Sequence, residues 1–160
     1  MQSSLEAPSR PKILVHPGLL FLGGLLVPLA VNLVLPLPLR FLSPLPRAVS
    51  SGVLVVAAGV VALLSIRELR AFETALEPTD PASSLVRTGP YRISRNPLYL
   101  SQLLFLSSAG IVFACGWLII AVPVLLVALD FCVVRPEERH LEEMFGAEYR
   151  EYRRTVRRWI

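Results

Sequence analysis

The chain has 160 residues, the length of one ordinary domain, and 54% of them are hydrophobic, with a mean hydropathy of +0.59. The apolar residues form blocks almost free of charge, which excludes a typical soluble domain and predicts membrane-spanning helices. The net charge of +4 comes mainly from arginines that flank these blocks, and this favours a membrane protein over a nucleic-acid-binding protein.

The first half of the chain predicts two spans. Residues 1–12 are polar and are expected to be disordered, and the first span covers about residues 13–39. Four prolines in this block predict a helix that is kinked and frayed at its end. A short loop over residues 40–47 leads to a second span over about residues 48–66, which is rich in Val, Ala and Gly suited to close helix packing.

The second half predicts a hairpin of two further spans. Residues 67–96 are charged and contain turn-forming Pro and Gly, so they lie outside the hydrocarbon as a helical extension followed by turns. Residues 97–134 carry one charge, Asp130, and as a single helix would reach about 57 Å, almost twice the hydrocarbon thickness. A break at Ala114-Cys115-Gly116 divides the block into spans over about residues 97–114 and 116–134.

The charged C-terminal region, residues 135–160, predicts an amphipathic helix that is interrupted near Gly146. The predicted fold is therefore all-α: one membrane domain over residues 1–160, with four spans and a C-terminal amphipathic helix. Fourteen of the sixteen basic residues lie in the N-terminus, the middle loop and the C-terminal region. The positive-inside rule then predicts that both termini are cytoplasmic, as in an integral protein of a bacterial-type cell membrane.

The cysteines and the processing motifs do not change this predicted fold. Cys115 and Cys132 lie inside apolar segments, and we interpret them as small buried hydrophobic residues rather than parts of a disulfide framework or metal site. We expect no secretory signal, because the first apolar block is too long for a signal-peptide core. We also expect no lipidation, because the final Arg-Arg-Trp-Ile matches no lipidation motif.

Two polar segments bracket the predicted hairpin, and its geometry predicts that they are neighbours. In the first segment, Asn96 followed by Pro97 is a helix-start signal, with Asn as the N-cap. The structural interpretation is that Asn96 only caps the helix that follows. The functional one adds that the helix N-terminus, together with Arg95, holds the carboxylate of a ligand. In the second segment, Glu137 and Glu138 are either a solvated helix start or a site for a cationic or hydroxyl-rich ligand.

Asp130 lies about one turn inside the last span, where an ionisable residue marks a functional or paired position. Its candidate partners are Arg95 and Arg135. Five residues separate Asp130 from Arg135, which places them about 140° apart on a regular α-helix, so a direct pair between them is not expected. We predict that Asp130 faces inward, at the acceptor end of a cavity, with Arg135 nearer the membrane surface.

Residues 88–101 read Thr-Gly-Pro-Tyr-Arg-Ile-Ser-Arg-Asn-Pro-Leu-Tyr-Leu-Ser. They resemble the signature Gly-Pro-Tyr/Phe-Arg-x-x-Arg-His/Asn-Pro-x-Tyr-x-Gly of the isoprenylcysteine carboxyl methyltransferase and phospholipid methyltransferase family. Residues 135–138, Arg-Pro-Glu-Glu, resemble the family's Arg-x-Glu-Glu, and Phe145-Gly146 with the aromatic and basic residues after it resembles the family's C-terminal helix. The resemblance covers residues 74–160, and the spacing between the two motifs also fits.

The resemblance implies an S-adenosylmethionine-dependent methyltransferase that acts on a lipophilic acceptor, a prenyl carboxylate or a lipid, at the cytoplasmic membrane face. It places the cofactor-binding half at residues 88–160. Arg135 would orient the acceptor or the cofactor carboxylate, and Glu138 or Asp130 would be the base for an amine acceptor, whereas a carboxylate acceptor needs none. The implied cofactor-binding residues are Tyr91, Arg95, Asn96, Pro97, Tyr99, Ser101, Glu137 and Glu138.

The chain departs from the family signature at two positions. Asn96 stands where many members have His, and it cannot act as a base near neutral pH. Ser101 stands where Gly is usual, and its side chain could narrow the approach of the cofactor. These departures leave open a second interpretation, a non-enzymatic membrane scaffold or accessory protein that retains the fold. A transporter has little support, since the sequence shows no internal repeat.

Overall fold

The computed structural model describes residues 13–40, 43–74 and 84–160. The expected disorder of residues 1–12 lies outside this described part, as do positions within the two loops. The α-helices are α1 (Pro17–Val34), α2 (Pro44–Ala71), α3 (Pro97–Val112), α4 (Gly116–Leu129) and α5 (Arg135–Thr155). A 3-10 turn covers Gly89–Arg92, and a π-helical segment, Asp130–Val134, joins α4 to α5.

The helices pack side by side in the order α1, α4, α3, α2. Residues before α1 meet the end of the α4 region, because Leu14 N–H donates to the Cys132 carbonyl at 3.1 Å. Residues after α1 meet the α3–α4 turn, where Gly116 N–H donates to the Leu37 carbonyl at 2.7 Å. Helix α1 therefore runs antiparallel to α4, and α3 runs antiparallel to α4 across their turn. Helix α2 is antiparallel to α3, because Ser108 near the end of α3 donates to the Ser51 carbonyl near the start of α2.

Helix bounds differ from the predicted spans for physical reasons. The first helix ends at Val34 rather than at residue 39, because the chain around Pro36 and Pro38 leaves the helix and bonds to the α3–α4 turn. The second begins at Pro44 and continues to Ala71, beyond the predicted range of 48–66. Its 28 residues reach about 42 Å, so one end extends past an apolar layer about 30 Å thick.

Within the described residues, three helices are long and apolar enough to cross a membrane: Pro17–Val34, Pro44–Ala71 and the continuous helical stretch Gly116–Thr155. The apolar helix α3 has 16 residues, fewer than the 18 residues of the shortest of these three helices. Many large apolar side chains on α1 and α2 face outward, among them Leu19, Leu26, Val53 and Val60. An outward surface of this kind fits a lipid environment.

The α3–α4 turn requires two glycines. At Gly110 an added Cβ would lie 2.6 Å from Ile119 Cδ1, and at Gly116 it would lie 2.8 Å from Leu37 Cγ. Gly110 thus allows the close contact between α3 and α4, and Gly116 allows the chain after α1 to pass close to the start of α4. Cys115, between these helices, is buried in the core, and Cys132 is partly buried against it.

The last five residues are not helical, although the sequence predicts a helix over residues 135–160. Helix α5 ends at Thr155, and Val156 adopts an extended conformation with φ −121° and ψ 133°. Gly146 interrupts α5 with φ 51° and ψ −117°, near the predicted position. The chain after α5 leaves the helix because it bonds to another part of the protein, residues 94–96.

Candidate functional site

The predicted motif loop is held against the end of α2. Thr88 Oγ1 donates a hydrogen bond to Glu68 Oε2. Gly89 has φ +57°, and an added Cβ there would lie 2.7 Å from Glu68 Cγ. Only glycine combines the left-handed conformation with this close approach without strain. The Gly-Pro turn therefore places residues 91–96 beside the start of α5.

A network of five charged side chains lies where the hairpin begins and ends. We call it the charge cluster: Arg95, Asp130, Arg135, Glu138 and Arg158. Arg95 Nη1 lies 2.8 Å from Glu138 Oε1, and these side chains are 8% and 9% exposed. Arg158 donates to both oxygens of Glu138, at 3.1 and 2.7 Å, and to Asp130 Oδ1 at 3.0 Å. The three arginines outnumber the two carboxylates, so the cluster carries one net positive charge.

Asp130 and Arg135 form a direct ion pair, and the prediction against such a pair is wrong. Arg135 Nε donates to Asp130 Oδ2 at 2.8 Å. The prediction assumed a regular α-helix, but residues 130–134 are π-helical. Because a π-helix bonds residues i and i+5, it turns Asp130 and Arg135 to the same side. Arg135 also stacks over Phe131, with the guanidinium carbon 3.8 Å from the ring centroid, and it is 42% exposed.

Tyr99 and Glu137 form a second, smaller polar group. The Tyr99 hydroxyl donates to Glu137 Oε2 at 3.1 Å. The pKa of Glu137 is raised to about 7, mainly by burial, while the Tyr99 hydrogen bond opposes the shift and the charge of Glu138 adds to it. Burial also raises the pKa of Tyr91, with the charge of Glu137 next in importance. Glu137 therefore changes charge near neutral pH within reach of two tyrosines.

The start of α3 differs from the expected cap. Pro97 occupies the first helical position, but the Asn96 side chain makes no capping bond. Its Nδ2 donates instead to the Arg158 carbonyl at 3.0 Å. The first intrahelical bond runs from Leu100 N–H to the Asn96 carbonyl. The N–H groups of Leu98 and Tyr99 are consequently left without a partner among the described residues.

Ser101 does not join this polar group. It is buried, and its hydroxyl donates to the Leu98 carbonyl of the same helix at 2.6 Å. The structure thus brings together Arg95, Asn96, Pro97, Tyr99, Glu137 and Glu138, and it places Tyr91 beside them. A mainly apolar cavity of about 360 Å³ lies elsewhere, between α2 and α3 near Phe105.

Sequence reasoning missed the part played by the C-terminal segment, Arg157–Trp159. Arg95 N–H donates to the Arg157 carbonyl at 3.0 Å, and Ser94 Oγ donates to the Arg158 carbonyl at 3.2 Å. Tyr149 was also missed: Arg95 Nη1 donates to its hydroxyl at 3.2 Å. Burial raises the pKa of Tyr149 to about 12. The resemblance of Arg158 and Trp159 to the family's C-terminal region could have indicated this contact. Apolar periodicity instead assigned these residues to the C-terminal helix.

The described residues form an all-helical bundle with an apolar outer surface, three helices that could cross a membrane and a buried ionic site at one end. Residues 46–148 match the phospholipid methyltransferase family. The chain belongs to this family, which confirms the resemblance drawn from the motifs and implies a membrane methyltransferase. The match includes both motif segments and ends before Arg158. No curated protein and no solved structure matches the chain.

Proposed function

We propose that the protein transfers a methyl group from S-adenosylmethionine to a lipophilic acceptor at the cytoplasmic membrane face. One observation carries the proposal. The family match spans both motif segments, and in the fold these segments, 40 residues apart in sequence, form one polar site.

The residues of the site fit the polar parts of S-adenosylmethionine. The unpaired N–H groups of Leu98 and Tyr99 and the positive end of the α3 dipole suit its carboxylate. Arg95 Nε is buried with no partner among the described atoms and adds a second donor. The Glu137 carboxylate suits the ammonium or ribose hydroxyls. The site thus offers donors for the anionic part of the cofactor and an acceptor for its cationic part.

When bound, the cofactor supplies an activated methyl group on a sulfonium, and the thioether departs neutral, so no acid is required for its departure. The chain's own residues orient the reactants and exclude water. Arg95 and Glu138, both buried, hold the loop before α3 against the start of α5. Tyr99 holds Glu137, and Arg135 lies at the outer edge of the cluster, where it can orient an acceptor.

The arrangement favours an acceptor that needs no general base. Both oxygens of Asp130 accept hydrogen bonds from arginines, and so do both oxygens of Glu138. Because arginines already engage both oxygens of each carboxylate, neither side chain presents a free oxygen to take a proton from the acceptor. The half-exposed Arg135 also suits an anionic group. We therefore favour a carboxylate on a lipophilic molecule, such as a prenyl or isoprenoid acid, over an amine.

We also propose that α3 is a fourth membrane span. It lies between α2 and α4, runs antiparallel to both, and connects to α4 through only Phe113–Cys115. With four spans, the arginine distribution places both termini, α5 and the charge cluster on the cytoplasmic side. The polar cofactor then reaches the site from the cytoplasm, while a lipophilic acceptor enters from the membrane.

The test is mass spectrometry of lipid extracts after incubation with purified protein and methyl-deuterated S-adenosylmethionine. The wild type should add one labelled methyl group to a lipophilic compound, and Glu137→Gln should add much less. Arg154→Gln, which removes an exposed charge outside the charge cluster, should match the wild type. Folded wild type that neither binds the cofactor nor labels any compound would favour the scaffold alternative.

A further inference from the structure

The C-terminal segment contacts the loop before α3, the π-helical segment and the start of α5. Its main chain pairs with the motif loop in a parallel bridge between Ser94 and Arg157. The Arg158 carbonyl accepts hydrogen bonds from the side chains of Ser94 and Asn96. Trp159 packs against the hydrophobic core. Three consecutive residues therefore connect the loop before α3 to the interior of the bundle.

The Arg158 side chain connects two further elements. It makes a bidentate contact with Glu138 at the start of α5 and a single contact with Asp130 in the π-helical segment. These bonds raise the pKa of Arg158 above its ordinary value, with the Glu138 hydrogen bond as the main cause. A planar guanidinium can satisfy both carboxylates at once, whereas an ammonium cannot reproduce this geometry.

We propose that Arg158 is a positioning residue for the methyl-transfer site: it fixes Glu138 and Asp130 while its carbonyl fixes Asn96, and so sets the affinity for the cofactor. This inference rests on the proposed function. It assigns a role to a residue beyond the part of the chain that matches the family. The contact with the Arg158 carbonyl is compatible with either Asn or His at residue 96, since each side chain can donate one N–H to it.

The experiment compares three variants of the full-length protein in detergent. Arg158→Gln should weaken binding of S-adenosylhomocysteine about tenfold or more, because Glu138 and Asp130 lose charge-assisted bonds. Arg158→Lys should recover part of that loss. Arg154→Gln is the matched control, with the same charge change four residues earlier on an exposed side chain, and should stay within about twofold.

Two further readouts separate positioning from general stability. In turnover assays, Arg158→Gln should raise KM for the cofactor more than it lowers kcat at saturating cofactor. Hydrogen exchange should show that the Arg95 amide, which donates to the Arg157 carbonyl, is protected in the wild type and exposed in Arg158→Gln.

The outcomes distinguish this inference from the proposed function. Wild type that binds the cofactor, with Arg158→Gln binding equally well, would overturn the role of Arg158 and leave the methyltransferase proposal intact. Wild type that binds no cofactor would remove the proposed function and the positioning role that depends on it. An unprotected Arg95 amide in the wild type would overturn the C-terminal contact itself, whatever the binding data show.

Discussion

Replacing Glu138 with Gln tests how strongly the buried ion pairs hold the site together. Arg95 and Glu138 are 8% and 9% exposed, so the substitution leaves the Arg95 charge buried and without its carboxylate partner. Removing one partner of a buried pair costs about 3–5 kcal/mol. For a chain of this length that loss lowers Tm by about 6–20 °C. We expect the unliganded protein to show this drop in a thermal unfolding assay in detergent.

The matched control is Glu148→Gln. The N···O distance in the Glu148–Arg87 ion pair is 2.7 Å, close to the 2.8 Å of the Arg95–Glu138 pair. The Glu148 and Arg87 side chains, however, are 49% and 45% exposed. An exposed pair contributes about 0–1 kcal/mol, so Tm should fall by no more than about 4 °C. Adding Arg95→Met to Glu138→Gln should restore part of the lost stability, because the unpaired charge is then gone. Equal, small Tm changes in both single variants would refute the reasoning.

Three other predictions follow from the fold and the site. Reporter fusions at the C-terminus and within residues 40–47 should report opposite sides of the membrane, and the same side for both would contradict the four-span topology. Cofactor affinity should rise as pH rises through about 7, because Glu137 gains the charge that attracts the ammonium, and calorimetry at several pH values measures it. Tyr99→Phe removes a hydrogen bond that lowers the pKa of Glu137, so this transition should move to higher pH; affinity that is constant from pH 6 to 8 would be inconsistent with the assignment. Asp130→Asn should retain turnover, because a carboxylate acceptor needs no base; lost turnover with intact cofactor binding would instead identify an amine acceptor.

The sequence was sufficient to predict the juxtaposition of the two motif segments. A stretch of 38 residues with a single charge, Asp130, is too long for one span, so it had to fold back and bring residues 91–99 beside residues 135–138. The Tyr99–Glu137 and Arg95–Glu138 contacts show that it does. The motif itself then identified the family, which the match over residues 46–148 confirms.

The pairing of Asp130 with Arg135 could not be predicted, because it depends on local helix geometry. Hydrophobic periodicity indicates that residues 116–134 are helical, but it does not distinguish an α-helix from a short π-helical insertion. A π-helix bonds residues i and i+5 instead of i and i+4. This change brings Asp130 and Arg135, which would lie about 140° apart around an α-helix, into direct contact. The error therefore came from the assumed helix type rather than from the assignment of Asp130 as a paired residue.

The role of the C-terminal segment was missed for a different reason. Val156 and Trp159 continue the apolar spacing of α5, so periodicity extended the helix to the end of the chain. In the structure, carbonyls of Arg157 and Arg158 meet donors from residues 94–96, and these long-range bonds override the local pattern. The Asn96 side chain, expected to cap α3, is used for the same contact. No local signal predicts a contact 62 residues away.

Calorimetric titration of S-adenosylmethionine into the purified protein in detergent tests the central claim most directly. The account predicts binding with a Kd in the micromolar range, weakened by Glu137→Gln and unchanged by Arg154→Gln. The Tm measured on the same samples establishes that each variant is folded. Absence of binding to well-folded wild type would contradict the account, because the polar site at the end of the hairpin would then hold no methyl donor.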